Sequence, residues 1–294
     1  MRKILISVRF INIKKLSCVM LGRHHISVTI GTILPFLVPL FFMQDNNASA
    51  LGIYFLIAVF IGSLVPDSDC GGNATIYYRF RWIDYYMKKV AIKLTILLFH
   101  FPKLREMVNA DVESFKEHRG IMHSPIGILS SSLILTLTLM LIALTFGLSS
   151  FKVSIVLFSG VLVGQFMHLL EDSCTIAGIN WGFPFKNNKL SGNIYTFCKY
   201  YGYVDIRPAL YTWILYIFSA FIIFLYAFNK INYSLWLVYL LIFVISVLLW
   251  IMFLALSGAF GSKRETLSLW KVKNETVSKF KKLKRQFVKQ NEAR

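Results

Sequence analysis

No Cys-x-x-Cys pair occurs in this sequence. Cys18, Cys70, Cys174 and Cys198 stand far apart, which argues against a zinc ribbon and a disulfide framework and leaves four reduced thiols. His-Glu-x-x-His, Gly-x-Ser-x-Gly, the P-loop lysine motif and Gly-x-Gly-x-x-Gly are also missing, so metal-assisted chemistry is the enzymatic reading that remains. Acidic residues are scarce, 14 against 32 Lys and Arg, for a formal charge of +18. A basic balance of this size fits nucleic acid only where a folded basic domain carries it. Here the cations lie between apolar stretches and at both ends, so no nucleic-acid partner is expected. No internal repeat or low-complexity tract is present. Arg2 and Lys3 precede a short apolar run, but Arg9, Lys14 and Lys15 interrupt it and no small-residue cleavage pattern follows. A signal peptide is therefore not expected.

What the chain does have is apolar length. Of its 294 residues 56% are hydrophobic, and the mean hydropathy is positive. Such a composition predicts an all-α polytopic integral membrane bundle, since each span takes roughly 20 residues. Six stretches qualify: 26–43, 50–66, 124–147, 151–170, 210–228 and 235–257. Pro35 and Pro39 interrupt the first, which favours tilt or kinking there. A seventh apolar run, 90–101, is short and contains Lys93, and reads as an interfacial helix.

Loop charge then orients the bundle. Segments 44–49, 148–150 and 229–234 hold Lys230 as their one basic residue, whereas the other loops are rich in Lys and Arg. The positive-inside rule predicts a multi-pass protein of the inner (cytoplasmic) membrane with both termini in the cytoplasm. The tail after Ser257 carries eleven Lys or Arg against three Glu, a pattern suited equally to anionic headgroups and to a solvated tail. The organisation read from this is a basic segment 1–23, a four-span core 24–200 that would carry catalysis, a segment 201–257 with two further spans, 210–228 and 235–257, that carry no charged residue, and a basic tail 258–294. Membrane lipids are the expected partners.

On this map the unusual polar residues gather at one membrane face. His24 and His25 precede the first span, Pro66-Asp67-Ser68-Asp69 ends the second, His118 to Ser124 opens the third, and His168 to Asp172 closes the fourth. Ionisable groups at span ends facing a bundle interior are functional candidates. His168 and Asp172, four apart on a helix, leave one face and can hold one ion. Asp67 and Asp69 follow a proline and precede Gly71 and Gly72, a turn that can aim both carboxylates into the mouth, although Asp-rich turns are common. His118 and His123 are too far apart for one helical face. Ser124 before Pro125 is an N-cap with proline at the first helical position, which fixes His123. Arg119 either faces an anionic substrate oxygen or forms a salt bridge to Asp67 or Asp69. Of the adjacent His24 and His25 only one need matter, and His25 is favoured. His100 lies outside the cluster and reads as a packed or interfacial histidine, and Cys70 and Cys174 read as packing residues.

These segments resemble the YdjM-like membrane-bound metal-dependent hydrolases associated with LexA regulation. The matching residues are His25, Gly62-Ser63-Leu64-Val65-Pro66-Asp67-Ser68-Asp69, and the His-Arg-Gly-x-x-His-Ser block at 118–124, with Met122 where that block usually has threonine. Gly164, His168, Asp172, Thr175, Gly178, Pro184 and Phe185 complete the set. The resemblance covers about residues 20–190, and the family is distantly similar to zinc-dependent phospholipase C and single-strand nucleases of that helical class. It implies one metal on Asp67, His118 or His123, His168 and Asp172, and a second on His25 with a shared Asp172. The expectation is a hydrolase whose metal-activated water attacks a phosphoester, with zinc, or else manganese or iron, as the ion. Arg119 would stabilise developing charge, and Asp69, if not a ligand, would orient the water or accept its proton. The rival expectation is a metal-binding transporter, sensor or scaffold without chemistry, which the position of the polar residues at span ends disfavours for a transporter.

Overall fold

A computed structural model of the chain describes residues 22–42, 46–69, 79–98, 108, 119–145, 147, 150–194, 205–228 and 234–260. His118, His100, Cys18, Cys70, Cys198, Gly71, Gly72, the segment 1–21 and the tail from 261 lie outside the described residues.

The bundle is helical, and among the described residues six helices are long and apolar enough to cross a membrane. These are α1 (Gly22–Phe42), α2 (Asn46–Gly62), α4 (Pro125–Thr145), α5 (Phe151–Ser173), α6 (Arg207–Ala227) and α7 (Leu235–Leu256). Between the second and third spans Arg81–Tyr86, Met87–Ala91 and Ile92–Leu98 run on as one helical segment, α3, with a widened π-type turn in its middle. The spans match the expected stretches, but several reach further toward one end of the bundle: α1 takes in His24 and His25, α2 continues through a tight turn Pro66–Asp69, and α5 continues to Ser173. Hydropathy stops at the first ionisable residue. The helices do not, because those side chains find partners inside the protein.

The run expected to lie at the interface extends to 81–98 and packs along α4. Thr95 pairs with Ser130 of α4 at 2.9 Å, and Tyr86 pairs with Thr138 two turns further along. Ile83, Met87, Ile92 and Ile96 are buried on that side, while Trp82, Tyr85 and Leu97 are exposed. An apolar stripe of this width needs a packing partner, and α4 supplies it.

Small residues set the central crossing. Helices α2 and α5 pack most extensively, and a Cβ on Gly164 would stand 2.3 Å from Val59 O and 2.8 Å from Ser63 N. A Cβ on Gly62 would stand equally close to Val161 O. Backbones in such contact exclude any side chain, the usual device of helix pairs in lipid.

The last two spans are built into the bundle. Helix α6 packs along α1, where Pro35 leaves the Gly31 carbonyl without its helical donor. The Ser219 hydroxyl lies 3.4 Å from that carbonyl and 2.9 Å from its own Leu215 O. Trp250 Nε1 donates to Thr32 Oγ1 at 3.2 Å, and Tyr211 stacks on Phe253. Arg207 fastens the ends: it pairs with Asp205 and donates to Leu256 O at 3.0 Å and Asn193 O at 2.8 Å. After α5 the chain forms a short antiparallel hairpin, β1 (Ile179–Asn180) with β2 (Lys189–Leu190).

Candidate metal centre

Three histidines meet at the end of the bundle where α1 starts and α2 and α5 finish. His25, His123 and His168 are all buried, and His25 stacks on His168 with ring centroids 3.9 Å apart. Each has its Nδ1 held close to an acceptor oxygen from a different element. His168 Nδ1 donates to Ser63 O at 2.8 Å, His123 Nδ1 stands 2.9 Å from Asp69 Oδ2, and His25 Nδ1 stands 2.9 Å from Glu171 Oε2. For His123 and His168 the partner oxygens only accept, so these hydrogen bonds put the ring hydrogen on Nδ1 and present Nε2 as a lone-pair donor, whereas the His25–Glu171 approach is a close contact without hydrogen-bond geometry.

The Nε2 atoms of His123 and His168 face two carboxylates. His123 Nε2 is 3.9 Å from Asp67 Oδ1 and 3.6 Å from Asp172 Oδ2, and His168 Nε2 is 3.7 Å and 4.0 Å from the same two oxygens. His168 Nε2 makes no hydrogen bond although it is buried. Such separations are too long for hydrogen bonds. Donors about 2.0–2.2 Å from a shared tetrahedral ion stand roughly 3.3–3.6 Å apart, so this set closes on one cation with small side-chain rotations. The residues fit a divalent ion by donor type and by tautomer. Four carboxylates, those of Asp67, Asp69, Glu171 and Asp172, gather here with the Arg119 guanidinium, a density of negative charge that a buried cation would offset.

Local sequence explains each placement. Gly164 brings α5 onto α2, so that His168, one turn later, reaches the carbonyl of Ser63. The tight turn Pro66–Asp69 aims Asp67 inward and Asp69 toward His123. Ser124 caps α4 by accepting from Gly127 N at 3.0 Å, and the short turn Ile121–His123 before it turns His123 inward. Thr29 of α1 donates to Glu171 Oε1 at 3.0 Å, which fixes the carboxylate beside His25.

Arg119 sits at φ 65°, a left-handed conformation rare for a residue with a side chain, of the kind that concentrates at functional sites. Its NH2 lies 3.0 Å from Asp172 Oδ1, and its NH1 donates to Thr175 Oγ1 and to Gly178 O, each at 3.1 Å. Its backbone N–H donates to Asp69 Oδ2 at 3.2 Å. The expected salt bridge to Asp67 or Asp69 thus goes to Asp172, with Asp69 bound through the main chain. His25 Nε2 is 3.8 Å from Asp172 Oδ1, the oxygen that Arg119 also holds.

Sequence reading therefore named His25, Asp67, Asp69, Arg119, His123, His168 and Asp172, and the structure brings all seven together. It missed Glu171, the Ser63 carbonyl and Thr29. Glu171 had a signal, an acid three residues after His168 in an apolar helix. The Ser63 contact is main-chain and had none. Cys174 lies beside the site, but burial pushes its thiol up to about 12 and it contacts Leu170 O, in keeping with a packing role.

The family model described as YdjM inner membrane protein matches residues 20–259 of this chain. The match runs through both final spans, well past the 20–190 over which the motifs are recognisable. No curated protein and no solved structure matches. The chain belongs to the YdjM inner membrane protein family and is a multi-pass membrane protein.

Proposed function

We propose that this family member is a membrane-bound metal-dependent hydrolase that cleaves a phosphoester, on a lipid or lipid-linked substrate, at the cytoplasmic membrane face. The observation that carries the reading is the convergence of His123 and His168, each with Nδ1 tied back, on Asp67 Oδ1 and Asp172 Oδ2. These four residues would hold one ion, zinc by donor type and manganese or iron by charge. When bound, the ion supplies Lewis acidity, drawing charge from a phosphoryl oxygen and lowering the pKa of water.

The remaining residues hold that set in shape. Asp69 fixes the tautomer of His123, the Ser63 carbonyl fixes His168, and Arg119 binds Oδ1 of Asp172 so that Oδ2 faces the histidines. With three of its donors engaged inside the protein, Arg119 acts as a positioning residue in this reading, not as a contact to developing charge. Glu171, with Thr29 behind it, holds His25 against His168. His25 lines the site beside the four-residue set, where a second ion would share Asp172 Oδ1 with a guanidinium and meet its repulsion.

Elemental analysis of the protein purified in lipid, followed by a hydrolysis screen on phospholipids, isoprenoid phosphates and carboxylic esters, tests this. One divalent ion per chain and turnover on a phosphoester are expected. Metal-loaded protein that turns over none of these substrates, together with ligand variants that still complement a deletion strain, would overturn the hydrolase and leave a metal-binding scaffold, sensor or transporter.

A further inference from the structure

The hairpin after α5 carries a cation that the centre described above does not use. Strand β2 passes directly over Gly178, whose φ is 62°: a Cβ there would stand 2.3 Å from Leu190 O and 2.5 Å from Ser191 Cβ. Gly178 O is also an anchor of the Arg119 guanidinium. Lys189, next to Leu190 and paired with Asn180, is exposed on the strand that crosses this anchor of Arg119. The hairpin is well tied. Asn180 Oδ1 accepts from Asn188 N at 2.8 Å and Gly182 N at 3.3 Å, and Trp181 N donates to Asn188 O at 3.0 Å.

The two cations are not equivalent. Arg119 has Asp172 as its counter-charge, whereas the Lys189 ammonium takes part in no hydrogen bond or ion pair among the described residues. Partial desolvation first, and then the nearby guanidinium, lower its pKa although the side chain is exposed. The carboxylates of the centre are already committed to histidines, Thr29 or Arg119. An exposed ammonium on the strand beside a second cation, with no acid paired to it among the described residues, is suited to an anion that comes from outside.

We propose that Lys189 binds a phosphoryl oxygen of the substrate at the mouth of the metal centre, which makes the substrate a phosphoester in place of a neutral carboxylic ester. The inference rests on the hydrolase reading above. An ion on one side and an ammonium on the other form the two-sided clamp that a phosphoryl group with two or more charged oxygens requires. Lysine serves such a group as a point charge, so arginine at the same place would retain most of the binding.

Zinc-loaded full-length protein in phosphatidylcholine nanodiscs is titrated calorimetrically with inorganic phosphate, with metal content measured on the same samples. Lys189→Ala should weaken phosphate about tenfold at unchanged metal content, Lys189→Arg should weaken it about twofold or less, and Lys186→Ala on the same hairpin should bind as wild type. If Lys189→Ala loses metal, Lys189→Met keeps the aliphatic stem and replaces it. A second arm adds phosphatidic acid to the nanodisc. Suppression of phosphate binding assigns the site to a lipid headgroup, and unchanged binding assigns it to a soluble phosphoester; both keep Lys189 as the anchor. Equal phosphate affinity in wild type and the Lys189 variants, or no phosphate binding by fully metallated wild type, overturns the proposal while leaving the metal centre intact. Wild-type protein that retains no metal overturns the hydrolase reading, and this proposal with it.

Discussion

Arg119 holds one oxygen of Asp172 at 3.0 Å while the other oxygen of that carboxylate stands 3.6 Å from His123 Nε2. The guanidinium therefore decides which face of the carboxylate the histidines meet. Outer partners of this kind are worth about 10–100-fold in metal affinity. Arg119→Ala is expected to weaken metal retention by that amount, measured by competition with a chromophoric chelator. Arg119→Lys should recover part of it, because an ammonium can reach Asp172 but cannot also bind Thr175 and Gly178. Unchanged metal affinity with lowered turnover would instead return Arg119 to the role of steadying developing charge.

His25 and His168 stack face to face, yet only His168 points its Nε2 between Asp67 and Asp172. A one-ion centre on Asp67, His123, His168 and Asp172 predicts different outcomes for the two. His168→Ala and Asp172→Asn should lose the ion, whereas His25→Ala should keep close to one equivalent. His100→Ala, outside the cluster, should match wild type. Elemental analysis reads all four. Two ions in wild type falling to one in His25→Ala would establish the second site on His25 and Asp172.

Gly164 couples the helix crossing to the centre. A Cβ there would stand so close to Val59 O and Ser63 N that even a methyl group forces α2 and α5 apart, at a cost of about 1–3 kcal/mol. Gly164→Ala should lower the thermal midpoint in detergent and also weaken metal binding, since separation moves His168 away from Ser63 O. Glycine-to-alanine at Gly147, which has nothing within reach of a Cβ, is the contrasting variant: its φ of 67° adds backbone strain but should leave metal binding alone.

Much of this arrangement is legible in residue order. The six spans follow from apolar length, and the one-sided placement of His25, Asp67, Asp69, His123, His168 and Asp172 follows from alternating spans. Spacing alone also identified His168 with Asp172. What spacing does not encode is the partner of each ring nitrogen. Ser63 acts through its main chain, Glu171 stands out as an acid in an apolar helix but its neighbour His25 is recognisable only once α1 is known to pass beside α5, and Arg119 reaches Asp172 because a left-handed backbone turns it there. The final spans looked separable because they lack charge. Their attachment runs through Ser219, Trp250 and the Arg207 clamp, contacts that charge patterning does not register.

Orientation in the membrane is the remaining expectation with a direct test. The site ends of α1, α2, α4 and α5 lie together, and Arg207 at the start of α6 binds Leu256 O at the end of α7, so the six spans alternate consistently about one face. Geometry alone leaves that face unassigned to a compartment. The assignment comes from the basic loops and tail on the site side, which the positive-inside rule retains in the cytoplasm. In a variant with Cys18, Cys70, Cys174 and Cys198 replaced, a single cysteine at Asn47 should react in intact cells with a membrane-impermeant maleimide. A cysteine at Asn187, on the exposed hairpin beside the centre, should react only after permeabilisation. Labelling of Asn187→Cys in intact cells would turn the centre outward, and a phosphoester cleaved there would have to be drawn from the outer leaflet or the space beyond it.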